Sequence, residues 1–204
     1  MKHAAAVSRK FRNAASIAQA HTAPLLPGGF FLTDPARVKD ARAVASRLPD
    51  GIGVIIRHFG QADAMEDAFA IVSDCQRAGR VVLIGADPDL ALATGADGVH
   101  WPFRMRRDLQ RQRQSLGLLH TMSVHSPAEL RAARAFPVDA LIYSTVFPSA
   151  SPSAGTPIGL SRFAAAAAHA PVPLYALGGI SAANVEKAAR FGGFASVSAF
   201  EALL

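Results

Sequence analysis

The chain has a single cysteine, Cys75, so no internal disulfide can form and nothing asks for an oxidising compartment. It has no apolar run approaching the roughly 20 residues that a membrane-spanning helix needs. Its first 27 residues are basic, but their apolar positions are mostly alanine broken by Ser, Arg and Asn, unlike the unbroken apolar core of a secretory signal. A soluble cytoplasmic protein with no membrane partner is expected. Charge is scarce as well, with 18% charged against 50% hydrophobic residues, which excludes a disordered chain and suits a well-buried core.

Acidic residues are missing altogether before Asp34, while Lys2, Arg9, Lys10 and Arg12 crowd the start of the chain. A second basic stretch, RMRRDLQRQR, covers 104–113, and the formal net charge is +6. No aromatic residue is interleaved within 104–113, so a stacking surface for single-stranded nucleic acid is not indicated. Solvated helix faces are the expected reading of these clusters, and nucleic acid is not the expected partner. A reading of the chain as associated with nucleic acid rests on these clusters alone.

What is present is a rhythm. After about residue 28, short apolar runs alternate with Ala-rich amphipathic stretches. The runs are GFFLT (29–33), GVIIR (53–57), VVLIG (81–85), DGVH (97–100), HTMSV (120–124), ALIYS (140–144), PLYAL (173–177) and ASVSA (195–199). Continuous rather than alternating apolar character is what a parallel strand buried on both faces requires. Between the runs, helices are expected over 38–48, 65–78 after the cap Asp63, 88–94 between Asp87 and Gly95, and 107–114. Others are expected over 127–135 with a capping box at Ser126 and Glu129, 160–170, 183–191 and briefly 200–204.

Eight strand–helix units point to an α/β fold, a small (β/α)8 TIM barrel over residues 28–204, with residues 1–27 as an N-terminal helical extension. A doubly wound open sheet is the alternative, but no Gly-x-Gly-x-x-Gly follows the first strand. In such barrels the site lies at the C-terminal ends of the strands, often with phosphate bound after strands 7 and 8. There the sequence reads LGGISAAN, with Gly178 and Gly179 letting the backbone approach a ligand closely. Their N–H groups, with those at Ser198 and Ala199 opening a short last helix, form a candidate phosphate nest.

The stretch VFPSASPSAGTPIGL, Val146 to Leu160, has four hydroxyl side chains, three prolines, two glycines and no charge. It follows strand 6 on the same face and is longer than an ordinary connection, so it reads as a functional flap rather than a linker. Its hydroxyls Ser149, Ser151, Ser153 and Thr156 can donate to phosphate oxygens. His58, His100 and His125 all fall near strand ends, but no carboxylate supports them as a metal site, and they are read as unrelated.

From FFLTD through DLALATGADGVH, SVHSPAEL and the flap to PLYALGGISAANV, the chain resembles the family of thiamine-phosphate synthase and the TenI-type thiazole tautomerase. The resemblance covers roughly Phe30 to Leu204 and implies a (β/α)8 barrel of thiamine biosynthesis. It also implies thiazole phosphate at Gly178, Gly179, Val197 and Ser198, and Ser123 facing a pyrophosphate. Arg57, Ser149 and Ser151 would contact the substrates.

The chain departs from that pattern where the synthase holds pyrophosphate and Mg²⁺. Phe59 stands where the family has a lysine, Gly85 and Ala86 where it has Asn-Asp, and Pro152 where the flap has a lysine. No acidic residue follows GVH before Asp108. Asp87 lies one residue beyond the lost ligand, and is a substitute only if it can reach the roughly 2.1 Å that Mg²⁺ demands. His125 matches the catalytic histidine of the tautomerase, and a histidine both accepts and donates protons near neutrality. The expectation is a metal-independent, tautomerase-like protein without a cofactor, bound to a small phosphorylated thiazole or thiamine ligand. An authentic synthase using Mg²⁺ at a rebuilt site is one alternative, and a non-catalytic phosphate-ligand-binding barrel another. A homodimer is compatible with all of these.

Overall fold

A computed structural model of the chain describes residues 2–152 and 154–204, the side chains of 113–116 excepted. Eight parallel strands close into a barrel in chain order: β1 Gly29–Leu32, β2 Ile52–Ile56, β3 Val82–Gly85, β4 Gly98–Trp101, β5 Leu119–Val124, β6 Ala140–Ser144, β7 Leu174–Leu177 and β8 Gly193–Ser196. The seam pairs Gly29 with Phe194 and Phe31 with Ser196, so no strand edge is left open. Almost every strand residue is buried, as continuous apolar runs require when a sheet is covered on both faces.

The helices are α1 Lys2–Ala18, α2 Ala41–Ser46, α3 Ala62–Arg77, α4 Pro88–Thr94, α5 Arg106–Leu116, α6 Pro127–Ala133, α7 Leu160–Ala168 and α8 Val185–Ala189. The sequence anticipates α4 residue for residue, because Asp87 accepts from Leu90 N at 2.9 Å and Gly95 ends the helix at φ +72°. At α3 the expected cap is wrong: Gln61 holds the N-cap position and Asp63 sits in the first turn, where a carboxylate favours the helix dipole. Strand β8 begins and ends earlier than the sequence reading. Only a 3₁₀ turn, Glu201–Leu203, follows it, so Ser198 and Ala199 lie in a loop and do not open an α-helix.

That short finish leaves the β8–β1 side of the barrel without a helix of its own, and α1 fills the gap. Phe11 of α1 is fully buried, with ring centroids 5.8 Å from Phe194 and 4.5 Å from Phe200. A Cβ on Gly28 would lie 2.2 Å from the Ala15 carbonyl oxygen, so the helix sits directly on the entry to β1. Inside the barrel the Tyr175 ring fills the space over Gly193, where an added Cβ would come within 2.2 Å of it, and its hydroxyl donates to Pro27 O at 2.6 Å. Cys75 belongs to the same core, and burial pushes its thiol up to about 11, away from reactivity. No helix among the described residues is long and apolar enough to cross a membrane.

Candidate functional site

A cavity of about 310 Å³ opens at the C-terminal ends of β6, β7, β8 and β1. Arg57, Ser149, Ser151, Gly178, Gly179, Val197 and Ser198 line it, together with Asp34, Arg37 and Thr145. Seven sequence-chosen positions on four separate segments thus meet around one space. Ser123, His125 and Asp87 lie outside that lining. Ser153 falls outside the described residues.

The two glycines are demanded by the flap. Gly178 and Gly179 have φ +93° and +65°, where a side chain is strained. A Cβ on Gly179 would also meet Pro148 O at 2.3 Å, and one on Gly178 would meet Thr145 Cγ2 at 2.7 Å. The flap is stitched to this turn: Val146 N donates to Leu177 O at 2.9 Å and Phe147 N to Gly178 O at 3.0 Å. Its far end returns to the same place, with Ile158 N on Thr145 O at 3.0 Å and Gly159 N on Val146 O at 2.9 Å. It is therefore an anchored loop with a polar tip, and the tip carries Ser149 and Ser151 to the cavity. Among the described residues, the backbone N–H groups of Gly179, Ile180, Val197 and Ser198 have no partner within the protein.

Arg57 leaves β2 and crosses to β1, its Nε donating to Thr33 O at 2.7 Å and its Nη2 to Asp34 at 3.2 Å. Burial pulls the guanidinium below its ordinary value, Asp34 opposes that, and Arg37 adds to it. Phe59, with φ +49°, is exposed and lies beneath the same guanidinium at 5.2 Å.

Arg37 was not anticipated. Asp34 folds a tight turn by accepting from Ala36 N at 3.1 Å through its side chain, while its carbonyl accepts from Arg37 N and Val38 N. The turn throws Arg37 across the cavity mouth, where it donates to Ser151 Oγ at 3.4 Å and Ser198 Oγ at 3.3 Å. The only signal in the sequence was its place just after strand 1, on the functional face.

On the β2–β5 side, polar groups are taken up with one another. Asp87 caps α4 with one oxygen and receives His58 Nε2 at 3.3 Å on the other, while Gly60 N donates to His58 Nδ1 at 3.1 Å. His100 is buried, with Nδ1 2.8 Å from Thr121 Oγ1 and Nε2 2.7 Å from Ser123 Oγ. Burial, with the charges of Arg57 and His125, pushes it down to about 3, so the ring is neutral. His125 is exposed. Its backbone N donates to Glu129 at 2.8 Å and its Nδ1 to Ser144 O at 3.3 Å. With Nδ1 donating, a neutral ring presents the Nε2 lone pair as a base. Among the described residues no group of three or more His, Cys, Asp or Glu is placed to hold a metal.

The basic stretch runs along α5, where Arg106 lies 4.7 Å over the Phe103 ring and Arg111 pairs with Asp108 at 3.2 Å. The side chain of Arg113 is outside the described residues.

A family model described as thiamine monophosphate synthase matches residues 30–200. A thiamine-phosphate synthase from Halorhodospira halophila is 33% identical over 178 residues, covering 82% of each chain. Another from a Synechococcus strain is 30% identical over 158 residues, 74% of this chain. The chain spans only 44% of the length of that Synechococcus relative. It spans 60% of a Geobacter sulfurreducens relative. Thiamine phosphate pyrophosphorylase from Pyrococcus furiosus superposes with a TM-score of 0.66 at 21% identity, over 86% of this chain and 92% of that one, a likeness of fold.

Proposed function

The chain belongs to the thiamine monophosphate synthase family, and on that premise we propose that it binds a phosphorylated thiazole or thiamine-type ligand and moves a proton on it without Mg²⁺. The observation that carries this reading is the set of four unpartnered N–H groups, at Gly179, Ile180, Val197 and Ser198, around one cavity. Backbone donors gathered around one cavity suit a phosphate group, whose oxygens accept from every side. The serines of the flap and of the β8 exit add hydroxyl donors, and the anchored flap would keep bulk water off the bound ring.

Mg²⁺ requires several hard oxygen ligands in near-octahedral order. The residues present do not fit it. Asp87 has both oxygens engaged, by Leu90 N and His58, and Asp34 has one on Ala36 N and the other on Arg57. Gly85 and Ala86 offer only carbonyls. Proton transfer needs no such ligand set. In the proposed reaction His125, which stands beside the cavity against Ser144 of its lining, takes a proton from a carbon of the ligand at Nε2 and returns it elsewhere on the same molecule. Ser144 O holds the ring so that Nε2 is the free nitrogen.

Purified protein is incubated with the pyrimidine pyrophosphate and thiazole phosphate, with and without Mg²⁺, and with the thiazole carboxylate phosphate in D₂O. The expected outcome is deuterium uptake into the thiazole that is lost in His125→Asn, and no thiamine phosphate under either condition. Thiamine phosphate formed only with Mg²⁺ would make the chain a synthase. Tight binding with neither reaction would leave a non-catalytic barrel.

A further inference from the structure

We infer that Arg37 is a ligand-binding and specificity-determining residue, supplying the counter-charge for the ligand's phosphate and tying the flap down over it. The inference rests on the reading of the cavity as a phosphate site and adds a residue that reading does not contain.

Three observations carry it. First, Arg37 lines the cavity, and no carboxylate lies within ion-pair distance of it among the described residues, whereas its neighbour Arg57 is paired with Asp34. A guanidinium without an acid at the mouth of this cavity is the strongest attraction the cavity offers a dianion. Second, its two terminal nitrogens reach different segments, Ser151 on the flap and Ser198 beyond β8. A planar fork does this with two separate nitrogens in fixed geometry, where a lysine offers one. Third, Ser198 also carries one of the unpartnered N–H groups, so the guanidinium already stands at the edge of the nest. The flap has no charged residue of its own. Arg37 is therefore the group through which a bound phosphate and the flap tip would be coupled. Both of its present bonds, at 3.3–3.4 Å, are long for charged donors, as fits a fork that tightens on an anion.

Arg37→Ala and Arg37→Lys are compared with the wild type in two measurements. Calorimetric titrations use inorganic phosphate, the thiazole alcohol phosphate and the unphosphorylated thiazole alcohol. Hydrogen exchange follows the backbone amides of 146–159. Losing a hydrogen bond to a charged group, about 1.5–3 kcal/mol, corresponds to about 10- to 100-fold weaker binding of both phosphate compounds by Arg37→Ala, with the alcohol unaffected. Arg37→Lys should regain phosphate affinity while its flap amides still exchange faster than wild type. Equal phosphate affinity in wild type and Arg37→Ala overturns the role of Arg37 and leaves the phosphate site standing. A wild type that binds neither phosphate compound overturns both.

Discussion

Two arcs of the barrel rim, built from the same strand ends, are occupied in opposite ways. From β6 round to β1 the backbone turns outward at Gly178 and Gly179, leaves N–H groups without partners and places Arg37 across the mouth. From β2 to β4 the side chains named above are answered by neighbours: Asp87 by His58 and the start of α4, His100 by Thr121 and Ser123. Donors without partners are costly unless a ligand or water satisfies them, whereas a closed network stabilises the fold and offers nothing to a ligand. The contrast teaches that one rim can leave donors open on one arc, where the proposed ligand would sit, while the adjoining arc is structural. Of the four positions where the sequence reading expects a departure from the family pattern, Phe59, Gly85, Ala86 and Pro152, three lie in the second arc or beside it.

The contrast breaks most sharply at Gly179. Gly179→Asp forces a Cβ into Pro148 O at a left-handed φ and puts a carboxylate where an anion should bind. Binding of the thiazole alcohol phosphate should fall by at least about 100-fold, or about 2.7 kcal/mol, by calorimetry. Gly179→Ala, neutral, separates the steric part from the charge. Undiminished binding in a folded Gly179→Asp variant would remove the nest from the model of the site.

The second arc is tested by acid. His100 is held near 3 in the folded protein against an ordinary 6.5. Between those values the unfolded chain binds the extra proton, so stability should fall as pH drops below about 6.5, by up to about 1.4 kcal/mol per unit. Above that range His100 contributes no pH dependence. Urea melts of His100→Gln should show a flatter slope over pH 4–6.5, and an identical slope would show that the buried histidine is not what titrates.

Asp87 sharpens the same point. If it is a cap and not a metal ligand, Asp87→Ala should lower stability by about 1–2 kcal/mol and leave phosphate binding unchanged with or without Mg²⁺. A Mg²⁺-dependent affinity in the wild type that disappears in this variant would return Asp87 to the site. The smallest effect is expected of Phe59→Lys, which adds one cation but no carboxylate. No thiamine phosphate should form, and turnover by that variant alone would mean that metal ligands lie elsewhere on the rim.

Some of this is legible in the sequence. Gly178, Gly179 and Ser198 could be chosen because barrel topology puts the exits of strands 7 and 8 side by side, and the glycine pair is a local signal; Val197 came only with the family resemblance. Arg37 could not be chosen. Its partners are 114 and 161 residues away, and only the Asp34 turn decides that it points across the mouth rather than along α2. Nor did the sequence show that His58 would take the second oxygen of Asp87, since that contact depends on the register in which strands 2 and 3 pair.

By itself the sequence determined the eight-fold alternation, the two-sided burial of the strands and the sharp start and stop of α4. These depend on periodicity, capping and glycine, which act within a few residues. The tertiary structure alone decided that α1 closes the β8–β1 seam through Phe11, that Ser123 and His125 stand outside the cavity, and which rim donors remain unpartnered. Those outcomes turn on which distant side chains meet first, and hydrogen-bond satisfaction is a property of the whole rim rather than of any segment.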